Sequence, residues 1–239
     1  KVVLASGAER SDDGLRLAPG GMASSPYSEH VFPRTRTLAA LVTLHSLSNT
    51  GGSVISAHQG LPAVYDYDGI FFNDDHKWKI GSHNFYRTEN IAGVAEETEI
   101  GVKVLIVAVQ EAADDILTTT VYRNGVKYGL SYTKGVPNWH EAHQWKFLFG
   151  PRYLNSATSG EGNIDVTIHK AYYWERALSL SEVSSLFIHS MYPQGTTDAA
   201  QSKTFQSQRA QFWTPKSRLN HFWDFRTANC AGGGVDSVS

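Results

Sequence analysis

The sequence holds a single cysteine, Cys230, in 239 residues. That excludes an internal disulfide and any cysteine-rich zinc site, and in a glycine-rich stretch the lone thiol reads as a plain free one. Long apolar runs are also missing. The longest, around Val104–Val109, falls far short of the ~20 residues that span a bilayer. No secretory hydrophobic segment opens the chain, which begins at Lys1, so a processed or excised fragment is expected. There is no N-x-Ser/Thr glycosylation sequon. Charge of one sign is absent too: 21 Lys and Arg against 23 Asp and Glu leave a formal net charge of −2, without clustering. Phosphate recognition needs a basic stripe, so nucleic acid is excluded as a partner. No G-x-S-x-G elbow, phosphate-cradling glycine loop or catalytic cysteine pairing is present.

What is present suits a large folded core. The chain is 41% hydrophobic and 12% aromatic, well above disordered compositions. Residues 163–174, "NIDVTIHKAYYW", alternate, with Ile164, Val166 and Ile168 on one face and Asp165, Thr167 and His169 on the other. Residues 102–109, "VKVLIVAV", are apolar on both faces apart from Lys103, the mark of a central strand covered on both sides. Residues 118–132 place Asn124-Gly125 between two β-rich runs, a strong hairpin signal because both residues tolerate the positive φ of a type I′ turn. Residues 145–150, "WKFLFG", form another short strand ending on glycine.

One helix interrupts this pattern, in "ALSLSEVSSLF" at 177–187. Ser179 and Glu182 make a capping box, and Leu178 can staple against Val183. A helix near 179–188 has too few turns to be a domain and is expected to pack on a sandwich rim, where Tyr172, Tyr173 and Trp174 would close it. From 193 to 220 the composition shifts to Gln, Ser, Thr, Ala and Lys without periodicity, which reads as a linker or crossing segment. Eight to twelve short strands and one helix predict an all-β fold, a two-sheet antiparallel jelly-roll sandwich over 1–192. The segment 221–239, starting "HFWDF", would supply a strand and loop completing that sandwich or a neighbouring chain's.

The order of four segments, 12–26, 121–129, 147–152 and 162–187, resembles the laminin-G-like, concanavalin A-like lectin/glucanase superfamily. Gly14, Leu15 and Leu17 stand at its early strand, and Tyr122, Asn124 and Gly125 at its central hairpin. Gly162, Ile164, Asp165 and Ile168 match its "G-x-I-D-x-x-I" strand. Arg176, Ala177, Leu178, Ser179, Glu182 and Val183 match the "R-A-L-S-x-x-E-V" that follows. The resemblance covers residues 12–190. Its usual opening, W-D-F followed by a loop and a D-S turn, is matched at the other end by Trp223, Asp224, Phe225, Asp236 and Ser237. The resemblance thus implies a circular permutation, or a cut from a tandem array.

Glucanases of this fold need paired carboxylates about 5–5.5 Å apart in retaining enzymes, commonly from an E-x-D-x-x-E strand. The matching strand has Asp165 alone, with Glu161 four positions earlier in a glycine-rich turn. The reading is therefore non-catalytic. "WHEAHQW" at 139–145 places His140 and His143 three apart rather than four, in a predicted loop rather than a helix, so a metalloprotease site is not expected. The densest oxygen cluster is Asp66, Asp68, Asn73, Asp74 and Asp75. Family habit and hard-cation chemistry make Ca²⁺ the ion it would hold, although the spacing matches no closed motif, and a solvated hairpin with Asp and Asn as turn formers explains it equally.

Sugar binding needs an aromatic platform flanked by polar groups. Trp139, His140 and Glu141 form the best candidate, with Trp78 and Tyr153 beside predicted loops. Trp145 reads as core. The leading expectation is a carbohydrate-binding or adhesive module of an extracellular or cell-surface protein, engaging a glycan or glycoprotein. A structural repeat joining copies of itself through residues 221–226 is the alternative, and a divergent glycoside hydrolase or lyase a third.

Overall fold

The structure is a computed structural model describing residues 2–28, 31–59, 67–82, 86–136, 144–156, 159–191 and 219–225. The first strands are β1 (Val3–Leu4), β2 (Ala8–Ser11), β3 (Gly14–Leu17) and β4 (Ala23–Ser24). The long β5 (Arg36–Leu44) and β6 (Gly52–Gln59) precede β7 (Tyr67–Phe72) and β8 (Trp78–Ser82). A meander follows in β9 (Lys103–Ala113), β10 (Ile116–Arg123), β11 (Val126–Lys127) and β12 (Tyr132–Gly135). Then come β13 (Trp145–Gly150), β14 (Tyr153–Leu154), β15 (Gly160–Glu161) and β16 (Val166–Trp174). The helix α1 (Leu180–Met191) and the strand β17 (Leu219–Asp224) complete the described elements.

Two large antiparallel sheets face each other. The first runs β1-β4-β13-β6-β7-β8, and the second runs β11-β10-β9-β5-β16-β3-β2 with β12 on β10 and β17 on β16. This is the jelly-roll sandwich that the alternating patterns predict. Its core interleaves Leu38, Ala40 and Val42 of β5 with Ile55, Ile70, Phe72 and Phe147 of the facing sheet, all at most 2% exposed. Burying aliphatic and aromatic area on this scale is the main term holding the sheets together. Asn124 and Gly125 turn the β10–β11 hairpin with φ of 52° and 79°, as the type I′ geometry demands. Gly14 opens β3 at φ 149° against the Ile168 carbonyl, where a Cβ would collide with backbone.

The second sheet is apolar on both faces at its centre. Ala39, Leu41, Leu105, Val107 and Val109 point away from the core, and they need cover. The helix supplies it, packing Val183 and Leu186 on that outer face. The expected rim position is therefore corrected: a doubly apolar sheet centre draws the helix onto its face. Tyr172 and Trp174 lie beneath the helix, whereas Tyr173 points into the core.

Ser179 caps α1 as its sequence indicates. Its N–H donates to Glu182 Oε2 at 2.8 Å, and the Glu182 N–H donates to Ser179 Oγ at 3.4 Å. Arg176 grips the same carboxylate at 2.6 and 3.0 Å. Burial pushes the Glu182 carboxyl up, but the bonds from Arg176 and Ser179 outweigh it and hold the group below its ordinary value. A carboxylate so depressed stabilises the fold above its ordinary titration range, and that stabilisation is lost as pH falls through the folded value. Between about pH 5 and about pH 3 the thermal midpoint should therefore fall more steeply in the wild type than in Glu182→Gln. Ser179→Ala should cost about 1 kcal/mol in urea unfolding at neutral pH.

The terminal strand β17 lies antiparallel along Lys170–Trp174 of β16, while β3 takes Val166–Ile168 of the same edge. Trp223 stacks its edge on Phe147 and Phe149, with centroids 5.0 and 5.6 Å apart, and Phe225 meets Phe149 at 5.3 Å. Phe222, on the opposite face, stacks on Tyr172 at 5.0 Å. The linker assigned to 193–220 lies outside the described residues up to 218, as do Cys230 and the segment 226–239.

Candidate functional site

Trp139, His140 and Glu141 lie outside the described residues, as do His143 and Asp66. The remaining predicted positions separate. Trp78 opens β8 with its side chain in the core, 0% exposed. It meets Phe72 at 5.0 Å, and its Nε1–H donates to Glu97 Oε1 at 2.9 Å. Arg123 holds that same carboxylate at 2.6 and 2.7 Å. Trp78 therefore anchors a loop and presents no ring to a ligand. Tyr153, half-buried in β14, sits 5.5 Å from the Tyr67 ring on the outer face of the first sheet.

Among the described residues the proposed calcium oxygens, Asp68, Asn73, Asp74 and Asp75, do not converge. Asp68 is paired in register with Ala57, on the core side of β7, and is 1% exposed. Its carboxylate faces the Arg36 guanidinium and accepts from Gln110 Nε2 at 3.3 Å. Asn73, Asp74 and Asp75 occupy the β7–β8 turn, where the Asn73 N–H donates to the Lys77 carbonyl at 3.2 Å. Asp75 binds Lys79 at 2.8 Å. Asp68 thus lies in the core while Asp74 is exposed on the turn, so one ion does not gather both. Among the described residues no three His, Cys, Asp or Glu side chains group as a metal site.

The carboxylates considered for glycoside chemistry are each matched with a cation. Asp165 pairs with Arg16, and Glu161 lies 3.7 Å from Arg152. Along the same face of β16, Thr167 bonds His45 Nε2 at 2.8 Å and His169 Nε2 lies 2.9 Å from Thr43 Oγ1. This strand face carries one acid, not the carboxylate pair that most glycoside hydrolases use.

A cavity of about 300 Å³ opens at the β7–β8 edge of the first sheet. Register pairs Phe71 with Lys79 on the outward face, and these two form its floor. Asn73, Thr88, Glu89 and Asn90 complete its lining. One side of the Phe71 ring meets the Arg152 guanidinium at 5.5 Å, and the ring also packs over Gly81. The ring is only 1% exposed, so little of it reaches the cavity. Thr88 Oγ1 is buried without a hydrogen-bond partner. Beside this corner, Tyr67 is buried, and that burial pushes its phenol well above the ordinary range, helped by Asp68 and opposed by Arg152. It stays a neutral donor at physiological pH.

Of the cavity residues only Asn73 is legible as a candidate from sequence. Thr88, Glu89 and Asn90 sit in an irregular segment without periodicity, so nothing local distinguishes them from solvated loop residues. The one signal is Lys79, an isolated charge on the outward face of an otherwise buried strand.

No protein-family model matches the sequence, and no curated protein matches it. Similar solved structures do exist. Trypanosoma rangeli sialidase in complex with 2-keto-3-deoxy-D-glycero-D-galacto-2,3-difluoro-nononic acid is 20% identical with a TM-score of 0.54, over 80% of this chain and 30% of that one. The same sialidase in complex with 2,3-difluorosialic acid gives 20% identity and a TM-score of 0.55, over 78% and 29%. A native heptameric SAP-like pentraxin from Limulus polyphemus gives 14% identity and a TM-score of 0.50, over 78% and 80%. The chain spans about 30% of the sialidase's length. These likenesses establish the fold alone, a two-sheet jelly roll.

Proposed function

We propose that this chain is a non-catalytic, carbohydrate-binding, laminin-G-like module acting at the cell surface or outside the cell. The observation that carries the reading is the cavity at the β7–β8 edge, whose lining joins Phe71 to amide, hydroxyl and charged side chains of Asn73, Thr88, Glu89, Asn90 and Lys79. An apolar patch with a few converging polar groups is what a sugar ring needs, since one part of it is C–H and the rest hydroxyl. The arginine-matched Asp165 and Glu161 support the non-catalytic half of the reading. Calcium dependence enters as a proposal resting on Asn73 and Asp74 of the turn.

A glycan array probed with and without EDTA tests the reading. Binding to at least one glycan is expected, with no products released from a polysaccharide panel. An array blank under both conditions would sink the lectin reading. Products lost on Asp165→Asn or Glu161→Gln would sink the non-catalytic one.

A further inference from the structure

We propose that Lys146 and Tyr27, side by side on the outward face of the first sheet, bind the carboxylate and the C–H face of an acidic sugar unit. This rests on the carbohydrate reading and adds a second contact point to it, apart from the β7–β8 cavity.

The strand pattern places the pair. Trp145 and Phe147 of β13 belong to the core, so the pleat turns Lys146 between them outward, opposite His58 of β6. A bridge from Ser28 to Trp145 lays the preceding residue, Tyr27, alongside. Lys146 Nζ stands 4.7 Å from the centre of the Tyr27 ring. In the order β13-β6-β7-β8, Lys146 lies three strand spacings from Lys79, about 14 Å across the sheet.

The state of the ammonium sets the charge of the ligand. Lys77, Lys79 and Lys134 each meet a carboxylate, from Glu96, Asp75 and Glu89. Lys146 is half-buried and rests on an aromatic ring instead. Burial pushes its ammonium below the ordinary lysine value, where a carboxylate alongside would push it up. A partly desolvated cation of this kind gains most from a ligand that brings the missing negative charge. It offers three N–H donors and one positive charge, which a single carboxylate matches, whereas a doubly charged phosphate leaves one charge uncompensated. Tyr27 sets the second half of the ligand. It is 43% exposed, so part of the ring stays open beside the ammonium, and an aromatic surface next to a charged donor suits a pyranose that carries its acid on the ring.

The test is isothermal titration calorimetry on the full 239-residue chain, with methyl β-D-glucuronide, methyl β-D-glucoside and acetate as probes. The two glycosides differ only in carrying a carboxylate or a hydroxymethyl group. The glucuronide should bind about tenfold or more tighter than the glucoside, the size of a charge-assisted bond. Lys146→Met should remove that preference, Lys146→Arg should keep it, and Tyr27→Ala should weaken glucuronide binding severalfold, with unfolding midpoints close to wild type. A preference that survives Lys146→Met, or that is lost with Lys79→Met instead, would overturn the proposal. Acetate binding as tightly as the glucuronide would reduce the site to an adventitious ion only and overturn it as well. Silence of both glycosides alongside a positive glycan array would overturn it and leave the broader reading standing. Silence of the array too would remove the broader reading itself.

Discussion

Asp68→Ala should destabilise the protein by about 3–5 kcal/mol, the cost of leaving a buried charge without its counter-ion. Arg36 and Asp68 are 0% and 1% exposed and belong to opposite sheets, β5 and β7, so their ion pair crosses the core. The guanidinium also donates to the carbonyls of Arg34 at 2.7 Å and Pro33 at 3.1 Å, and stands 4.9 Å above the Phe32 ring. These contacts hold it in place when Asp68 is gone, so it cannot swing out to water. Gln110 Nε2 loses its acceptor at the same time. Urea unfolding should show a lower midpoint with an unchanged slope. The double variant Arg36→Met, Asp68→Leu should recover most of the loss, because similar-sized apolar groups replace a desolvated pair at little or no cost. A single-variant loss below about 1 kcal/mol would mean that water reaches Arg36 and that the pair is not a core element.

The same pair shows where local sequence reasoning stops. "YDYDG" reads as a solvated acidic strand because period two places Asp66 and Asp68 together and acids seldom face a core. What permits Asp68 inside is Arg36, 32 residues away in sequence, and no local window contains both. Features whose physics is local were legible. The Asn124-Gly125 turn follows from φ preference, the Ser179–Glu182 cap from reach, and the β16 alternation from the pleat. The helix was legible as an element and not as a position, since its docking face depends on Leu41, Leu105 and Val107 lying side by side across strands. Trp78 shows the converse failure. Its neighbours are charged, so it reads as a loop residue, yet β7–β8 pairing turns it inward against Phe72. The cavity unites a floor from β7 and β8 with lining from residues 88–90, and only the closed turn and edge strand bring these together.

Ending the chain after Met191 should convert a monomer into a self-associating species, and Phe225→Ala in the full chain should cost about 3–5 kcal/mol. Phe225 is 4% exposed against Phe149, and Trp223 covers Phe147 and Phe149. Without β17, the backbone of β16 from Lys170 to Trp174 loses the partner on one side, beside newly uncovered aromatic rings. An unpaired edge next to exposed apolar surface is a template for a foreign strand. Size-exclusion chromatography with light scattering should therefore give a monomer for the full chain and larger species for the truncated one. Adding a synthetic peptide of residues 219–225 should return the truncated chain toward monomer by occupying that edge. The rival arrangement, in which this strand completes a neighbour's sheet, predicts the reverse for the full chain: association that rises with concentration and disappears with Phe225→Ala. The geometry favours the first outcome, because the strand's aromatic residues alternate between the core row at Phe147 and Phe149 and the helix-side cluster at Tyr172 within one sheet. A strand seated on both faces at once is held by its own domain's packing as well as by main-chain bonds, and a neighbour would have to displace both.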